Sequence, residues 1–357
     1  MEKNVLRHIQ FKELRAFCTE IYRKAGVPED EAGIVADLLV RSDLRGVETH
    51  GVTRLPIYIQ RIKKGYVRAA CKITVIKEKG PITFADAHGS MGHVTAFKAM
   101  QTAVTKAEEY GISWVSVKDS GHFGVAGLYP MAALEKDLIG YVFSNSAPMM
   151  APFGGCERII GNNPLAYAFP AEKYQPVVVD FSCSIVSSGK LILSRKKGEK
   201  IPLGWAYDKD GLPTDDPYEG YEGGGSLAPL GGHKGYGLAL AHEILTAVLT
   251  GGKWAQNIKS LYEKEESGIQ GTCHTFLALD PDCFIGKENF KKSMDRYIQS
   301  IKESGKAKNV TEILMPGEPE YQTESRRQKE GIPLPSNTMK ELIALGTLSG
   351  VSLNFMD

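Results

Sequence analysis

The sequence predicts an α/β protein with helices at both ends around a central region where strands and helices alternate. Three observations predict it. Apolar residues recur at helical spacing from Phe11 to about Lys64. From residue 73 the pattern changes to the two-residue alternation of strands, interleaved with helical stretches. After a last strand at 275–280, helical spacing returns and runs to the end. The 357 residues, 42% hydrophobic and 24% charged, are enough for two or three domains or one interwoven unit.

The elements follow in order. Phe11, Leu14, Phe17, Cys18 and Ile21 share one helical face, and Gly26 closes that helix. Pro28-Glu-Asp-Glu opens a second helix through about Leu44, with acids in its first turn where the macrodipole favours them. A polar stretch from Arg45 to Pro56 leads to a third helix, Tyr58 to about Lys64, stopped by Gly65. Ile73-Thr-Val-Ile and Ile82-Thr-Phe-Ala alternate like strands. Val94, Phe97, Met100, Val104 and Ala107 stripe a long helix that ends at Gly111. Ile112-Ser-Trp-Val-Ser-Val is a strand, and further strands are predicted at 139–144, 165–170 and 177–182, with a helix over 126–136. Residues 187–232, rich in Gly, Pro, Asp and Lys, read as a long irregular segment of the kind that often carries function. Residues 234–250 form a strongly apolar helix that reads as buried. A strand at 275–280 and helices near 288–304, 319–330 and 338–346 complete the chain.

Charge excludes some partners. With 43 basic and 42 acidic residues the net charge is +1, so no overall field draws nucleic acid or an anionic membrane, and an anionic ligand must be caught locally. Six cysteines, none in a C-x-x-C pair, read as reduced thiols. The first residues lack the apolar core of a signal peptide, and no run of about 18 apolar residues occurs. The expectation is a soluble, cytoplasmic protein.

Some common chemistries are also excluded. Gly223-Gly-Gly225-Ser-Leu-Ala228 matches a dinucleotide fingerprint formally, but no strand precedes it and Pro229 follows. No P-loop occurs, and His242-Glu243 lacks the second histidine of a zinc motif, so no metal is expected.

Other residues point to a site. His50, Arg54 and Tyr58 recur every four residues and on a helix would share a face, with Pro56 either starting or kinking that helix. Imidazole, guanidinium and phenol together suit a substrate with a carboxylate beside a hydroxyl. Arginine forks onto the carboxylate, and imidazole exchanges the hydroxyl proton near neutral pH. The same residues equally make the polar start of a surface helix capped by Thr49. Ser120-Gly121-His122-Phe123-Gly124 follows a strand, where ligand sites gather in α/β proteins, and reads as a site or a tight turn. Asn145-Ser146 and Gly161-Asn-Asn-Pro164 put amides and hydroxyls at strand ends. Asp180, after three valines, needs a partner if buried, and reads as orienting a histidine or holding a cofactor hydroxyl. Gly231-Gly-His233-Lys234-Gly235 opens the apolar helix, either as a phosphate seat or as a glycine hinge with an exposed lysine.

The succession of motifs is more specific than any one of them. Arg45-Gly-Val-Glu-Thr-His-Gly-Val-Thr-Arg-Leu-Pro, Ser-Gly-His-Phe-Gly, Ser-Asn-Ser-Ala-Pro, Gly-Asn-Asn-Pro, Val-Asp-Phe-Ser-Cys-Ser, Gly-His-Lys-Gly-Tyr-Gly and Met315-Pro-Gly-Glu318 stand in one order. That order resembles the malate/L-lactate/sulfolactate dehydrogenase family, which includes ureidoglycolate dehydrogenase, over about residues 10–350. The resemblance implies a non-Rossmann α/β fold with a largely antiparallel central sheet. Residues 1–72 and 310–357 would then pack together as helical parts around a central cofactor-binding region, 73–309. It implies a homodimer that uses NAD or NADP on a small 2-hydroxy or 2-oxo acid, with a reductase of cyclic imino acids as the alternative. By position, His122 or His50 resembles the acid/base residue and Arg54 the carboxylate anchor; Tyr58 joins them on the substrate by its spacing, not by the resemblance. Ser146, Val179, Asp180, Phe181, Ser182, Cys183, Ser184, Ile185, His233, Lys234, Gly317, Glu318 and Pro319 resemble cofactor contacts. The basic run Arg195-Lys196-Lys197 reads as a solvated loop or as a partner for a ribose phosphate.

Overall fold

The computed structural model describes residues 6–262 and 268–352. In chain order the elements are β1 (Arg7–Ile9), α1 (Phe11–Lys24), α2 (Glu29–Leu44), α3 (Leu55–Lys63), β2 (Thr74–Lys79), β3 (Ile82–Asp86), α4 (Gly92–Tyr110) and β4 (Trp114–Ser120). There follow β5 (Ile139–Ser144), β6 (Pro148–Met150), β7 (Ile160–Gly161), β8 (Leu165–Phe169), β9 (Val177–Phe181), α5 (Ser188–Lys197), β10 (Ala206–Tyr207), β11 (Pro213–Thr214) and β12 (Ser226–Leu227). Then come α6 (His233–Glu243), β13 (Thr272–Leu279), α7 (Lys287–Lys302), α8 (Glu318–Glu330), β14 (Ile332–Leu334) and α9 (Ser336–Ser349).

The largest sheet has the order β2-β3-β4-β13-β5-β8-β9. Of its neighbouring pairs, only β3 with β4 is parallel; the others are antiparallel. The largely antiparallel, non-Rossmann sheet is therefore present. Its middle strand, β13, pairs with β4 on one side and β5 on the other, and reads as nearly continuous buried sequence because both faces are covered. On one face α4 lays Ala96, Met100, Ala103 and Ala107 against Val115, Val117, Phe276 and Ala278. On the other, Phe143 and Leu165 meet α6 and a smaller sheet of order β11-β10-β12-β6-β7. A third core joins Leu14, Phe17 and Ile21 of α1, Val35 and Leu39 of α2 and Ile59 of α3 to Met339 and Leu342 of α9. The chain's first strand closes this arrangement, since β1 pairs antiparallel with β14.

Three expectations need correction. The helix expected over 126–136 is two short 3-10 stretches, Ala126–Leu128 and Pro130–Lys136. Pro130 lacks an N–H and its ring blocks the carbonyl four residues before it, which ends helical continuity there, while the Gly127 N–H is held by the Asp180 carboxylate at 2.7 Å. The segment 187–232 is not irregular throughout, for it contains α5 and three strands of the smaller sheet. Its helical signal was faint because Leu191 is the one buried side chain of α5. The apolar helix at 234–250 is α6 continued by a π-type turn, Ile244–Val248, and it is not buried throughout. Leu240, Ile244, Leu245, Val248 and Leu249 lie exposed along it.

Phe276 is fully buried in the middle strand, under Tyr129 and His274. Phe276→Ala is expected to cost about 3–5 kcal/mol of unfolding free energy, measured by urea denaturation. A cost under about 1 kcal/mol would mean that the core does not centre on β13.

Candidate active site

The polar stretch after α2 folds as two 3-10 turns, Glu48–His50 and Val52–Arg54, before α3 begins at Leu55. Asp43 dictates this. Its carboxylate, buried at the end of α2, accepts the Val52 N–H at 2.7 Å. A Cβ on Gly51 would sit 2.0 Å from the same carboxylate, so only glycine lets the chain pass. Burial pushes the Asp43 carboxyl up to about 8, against the Val52 hydrogen bond and Arg327 and with Glu48 adding to the rise.

His50, Arg54 and Tyr58 consequently do not share one helical face. His50 and Arg54 line a cavity of about 820 Å³. Tyr58 is buried behind it and does not line it: its hydroxyl lies 2.7 Å from His122 Nδ1. Pro56 falls in the first turn of α3, where its missing N–H costs nothing.

His122 lines the same cavity from the turn after β4, with its ring stacked on His50 at 5.5 Å and 16°. Four contacts hold it. Its own N–H donates to Gln270 Oε1 at 2.9 Å, the Gly124 N–H donates to Nδ1 at 3.2 Å, and the Tyr58 hydroxyl and the His50 ring complete the set. A backbone N–H pointing at Nδ1 makes that atom the acceptor, so neutral His122 carries its proton on Nε2 and Tyr58 donates. Burial is the main reason that His122 is held well below the ordinary histidine range, with His50 and Arg54 adding positive-charge repulsion. Burial, then Arg54, likewise lowers His50 to about 4.

Arg54 donates through Nε to the Thr49 carbonyl at 2.6 Å, and its guanidinium lies over the Tyr262 ring at 5.0 Å. Among the described residues no carboxylate pairs with it. Arg45, the other arginine of the lining, is already bound to Glu324 at 2.7 Å. A half-buried guanidinium with no carboxylate partner among the described residues, beside two neutral imidazoles, has the chemistry to receive an anion that carries an exchangeable proton.

The residues read as cofactor contacts divide. Ser146, Val179, Asp180, Phe181, Ser182, Gly317 and Pro319 line the cavity. Cys183, Ser184, Ile185, His233, Lys234 and Glu318 are not part of the lining. Cys183 is fully buried and its thiol donates to the Asn163 carbonyl, while His233 and Lys234 are exposed at the start of α6. Glu318 is held by Lys302 at 2.9 Å. Helices α8, through Gly317 and Pro319, and α5, through Ser187, Ser188 and Gly189, begin at the cavity, and no side chain caps either. Asp180 is open to the cavity yet deep inside the protein, so burial raises it to about 6 although the Gly127 N–H opposes the rise and Glu320 reinforces it. The Arg195 run lies in the last turn of α5, not in a loop, with Arg195 paired to Glu222.

Sequence reasoning missed several members of this site. Gln270, Thr272 and His274 line the cavity from β13 and its approach, and Tyr262 covers Arg54. Single polar residues before and within an apolar strand give no local signal. Helix α8 was also read only for its first residues. It grips the loop before His50: Arg327 donates to the Asp43 carbonyl and pairs with Glu48 at 2.5 Å, and Arg45 reaches Glu324.

Comparison with known proteins shows what the whole chain resembles. The family model described as malate/L-lactate dehydrogenase matches residues 9–343. Malate dehydrogenase of Pyrococcus abyssi is 40% identical, covering 98% of this chain and 97% of its own. L-sulfolactate dehydrogenase of Methanocaldococcus jannaschii is 39% identical over 90% of this chain and 92% of its own. The solved sulfolactate dehydrogenase from that organism superposes with a TM-score of 0.91 at 36% identity, covering 97% of this chain and 98% of that one. Relatives named for a cofactor include both kinds, a (2R)-3-sulfolactate dehydrogenase (NADP(+)) of Chromohalobacter salexigens and a ureidoglycolate dehydrogenase (NAD(+)) of Escherichia coli.

The charge of Arg54 can be read from His50. Removing a neighbouring positive charge makes the imidazolium less unfavourable, so Arg54→Gln is expected to raise the His50 midpoint above about 4. Burial, the larger cause, remains, so the midpoint stays below the ordinary value of about 6.5. Proton NMR titration of the His50 ring checks this, and an unchanged or lower midpoint would separate the two residues.

Proposed function

The chain belongs to the malate/L-lactate dehydrogenase family, and on that premise we propose that it moves a hydride between NAD(P) and C2 of a small 2-hydroxy or 2-oxo acid of the malate, L-lactate, sulfolactate or ureidoglycolate type. The observation that carries this reading is the Arg54 guanidinium, without a carboxylate partner among the described residues, beside His50 and His122 in one cavity. Arg54 forks onto the substrate carboxylate and so fixes C2 beside the imidazoles. The carboxylate cancels the charge that depresses both histidines, so their proton affinity rises when substrate binds.

His122 is the acid/base in this reading. Proton uptake at Nδ1, favoured once the substrate carboxylate is bound, makes the resting Nε2–H ring an imidazolium. During reduction Nε2 gives its proton to the forming hydroxyl and leaves the Nδ1–H tautomer on the Tyr58 oxygen, and during oxidation Nε2 of that tautomer takes the hydroxyl proton back. The Tyr58 hydroxyl can donate to a neutral Nδ1 or accept from a protonated one, so it serves both states. His50 hydrogen-bonds the substrate from the other side of the ring stack.

The cavity has the size and donors that a dinucleotide needs. When bound, the nicotinamide supplies or takes the hydride. Asp180 suits a ribose hydroxyl, and the uncapped start of α5 suits a diphosphate, because its first N–H groups are free. We further propose a homodimer that covers the exposed apolar side of α6, and a cytoplasmic setting in which the six cysteines, all unpaired, stay reduced. Among the described residues no helix is long and apolar enough to cross a membrane.

A panel of 2-oxo acids with NADH and NADPH, followed by absorbance, tests the activity. Arg54→Gln is expected to raise KM for the acid about a hundredfold with cofactor affinity unchanged, and His122→Asn to lower kcat about a hundredfold. Full turnover in either variant would overturn the assignment. For the dimer, Val248→Asp is expected to convert the protein to a monomer in sedimentation velocity, and a wild type that already sediments as a monomer removes the proposal.

A further inference from the structure

His274 is fully buried at the cavity wall, between the turns that follow β4 and β5. It stands where the register of β13 against β4 shifts between Thr272 and His274, an irregularity of the kind that re-aims a side chain. Its Nε2 lies 3.1 Å from the Gly121 carbonyl, which can only accept, so Nε2 carries the proton. Its Nδ1 therefore accepts, and Ser144 Oγ lies 2.7 Å away to donate. The ring stacks on Phe123 at 4.5 Å and 21°. Phe123 is stacked on its other face by Tyr129, at 5.1 Å. The residues immediately before and after His122 are thus both fixed by one imidazole, the first by a hydrogen bond and the second by its ring.

We infer that His274 is a positioning residue for His122, holding the backbone on both sides of it so that Nδ1 stays under Tyr58 and Nε2 stays toward the cavity. The inference rests on the dehydrogenase reading only for its kinetic consequence. His274 stands in the cavity wall with both ring nitrogens committed, to Gly121 and Ser144, so it offers a substrate no hydrogen bond; it acts through Gly121 and Phe123. Its own proton traffic is not needed. Burial lowers it to about 4, so it is neutral in the range where the enzyme would work, with its one N–H committed to Gly121.

Three variants test it. His274→Phe keeps the ring on Phe123 and loses both hydrogen bonds; His274→Gln keeps an amide that reaches Gly121; Ser144→Ala removes the hydroxyl behind Nδ1. His274→Phe is expected to lower kcat for 2-oxo acid reduction at least about tenfold with NADH affinity within about twofold, and His274→Gln to recover to within about threefold of wild type. Nitrogen-15 NMR of histidine-labelled protein without ligand gives the second readout. An unprotonated His122 Nδ1 is expected in wild type and His274→Gln, and an averaged tautomer in His274→Phe. If His274→Phe does not fold, a loss of about threefold or more in Ser144→Ala together with retained activity in His274→Gln supports the brace. Wild-type kinetics and an unshifted His122 signal in the folded variants overturn it. A wild type inactive on every 2-oxo acid, with the His122 signal still altered in His274→Phe, leaves the brace standing and removes the dehydrogenase reading.

Discussion

A guanidinium held half-buried, with no acid partner among the described residues, is the constraint around which the candidate site is arranged. Taking a charge out of water is costly unless something repays it, and proteins ordinarily supply a carboxylate. Here Arg54 has a backbone carbonyl and an aromatic ring. The nearby imidazoles cannot help, since a second positive charge would worsen the position, and burial together with Arg54 keeps them neutral. An anion entering the cavity relieves all three groups at once. It pairs the guanidinium, and it lifts the repulsion that kept the histidines from taking a proton. In the proposed function substrate binding and proton affinity are therefore coupled through charge, with burial still holding both histidines low.

Holding Arg54 and His50 in place falls to elements far away in sequence. Asp43 ends α2 by accepting the Val52 N–H, and this bends the chain so that both side chains turn to the cavity. The loop before His50 is fastened from outside by α8, through Arg327 on Asp43 and Glu48 and through Glu324 on Arg45. The same helix begins at Gly317-Glu318-Pro319, where Gly317 and Pro319 line the cavity. One rigid element therefore spans from the proposed cofactor side to the substrate loop. A Cβ at Gly317 would lie 2.9 Å from Val178, so that close approach also depends on glycine.

What the sequence made legible follows from what leaves a local trace. Helices with a long apolar stripe, such as α1 and α4, and strands covered on both faces, such as β5, were readable because periodicity reports burial. His122, Arg54 and His50 were readable because glycines and polar residues interrupt such patterns at strand and helix ends. Other features leave no local trace. Helix α5 buries one leucine, so its stripe is too thin to see, and β1 and β14 are three residues each and pair across nearly the whole chain, Ile9 with Ile332. Tyr58 was placed on the substrate because spacing shows which residues could share a face, and not which of them the tertiary structure turns inward. The exposed apolar side of α6 misled for the same reason: a strip of leucine, isoleucine and valine announces that something covers it, and not whether the cover is this chain.

The phosphate seat shows how composition and geometry can diverge. Lysine after two glycines at the start of an apolar helix has the right chemistry for a diphosphate, yet His233 and Lys234 stand outside the cavity lining. The start of α5 has no lysine in its first two residues and no capping side chain, but Ser187, Ser188 and Gly189 bring it to the cavity wall. Free backbone N–H groups suffice to receive phosphate oxygens, and they are present at any helix start regardless of sequence. Which helix start serves is decided by where the chain runs between β9 and α5. In the proposed function backbone donors make that seat, and side-chain motifs cannot announce it.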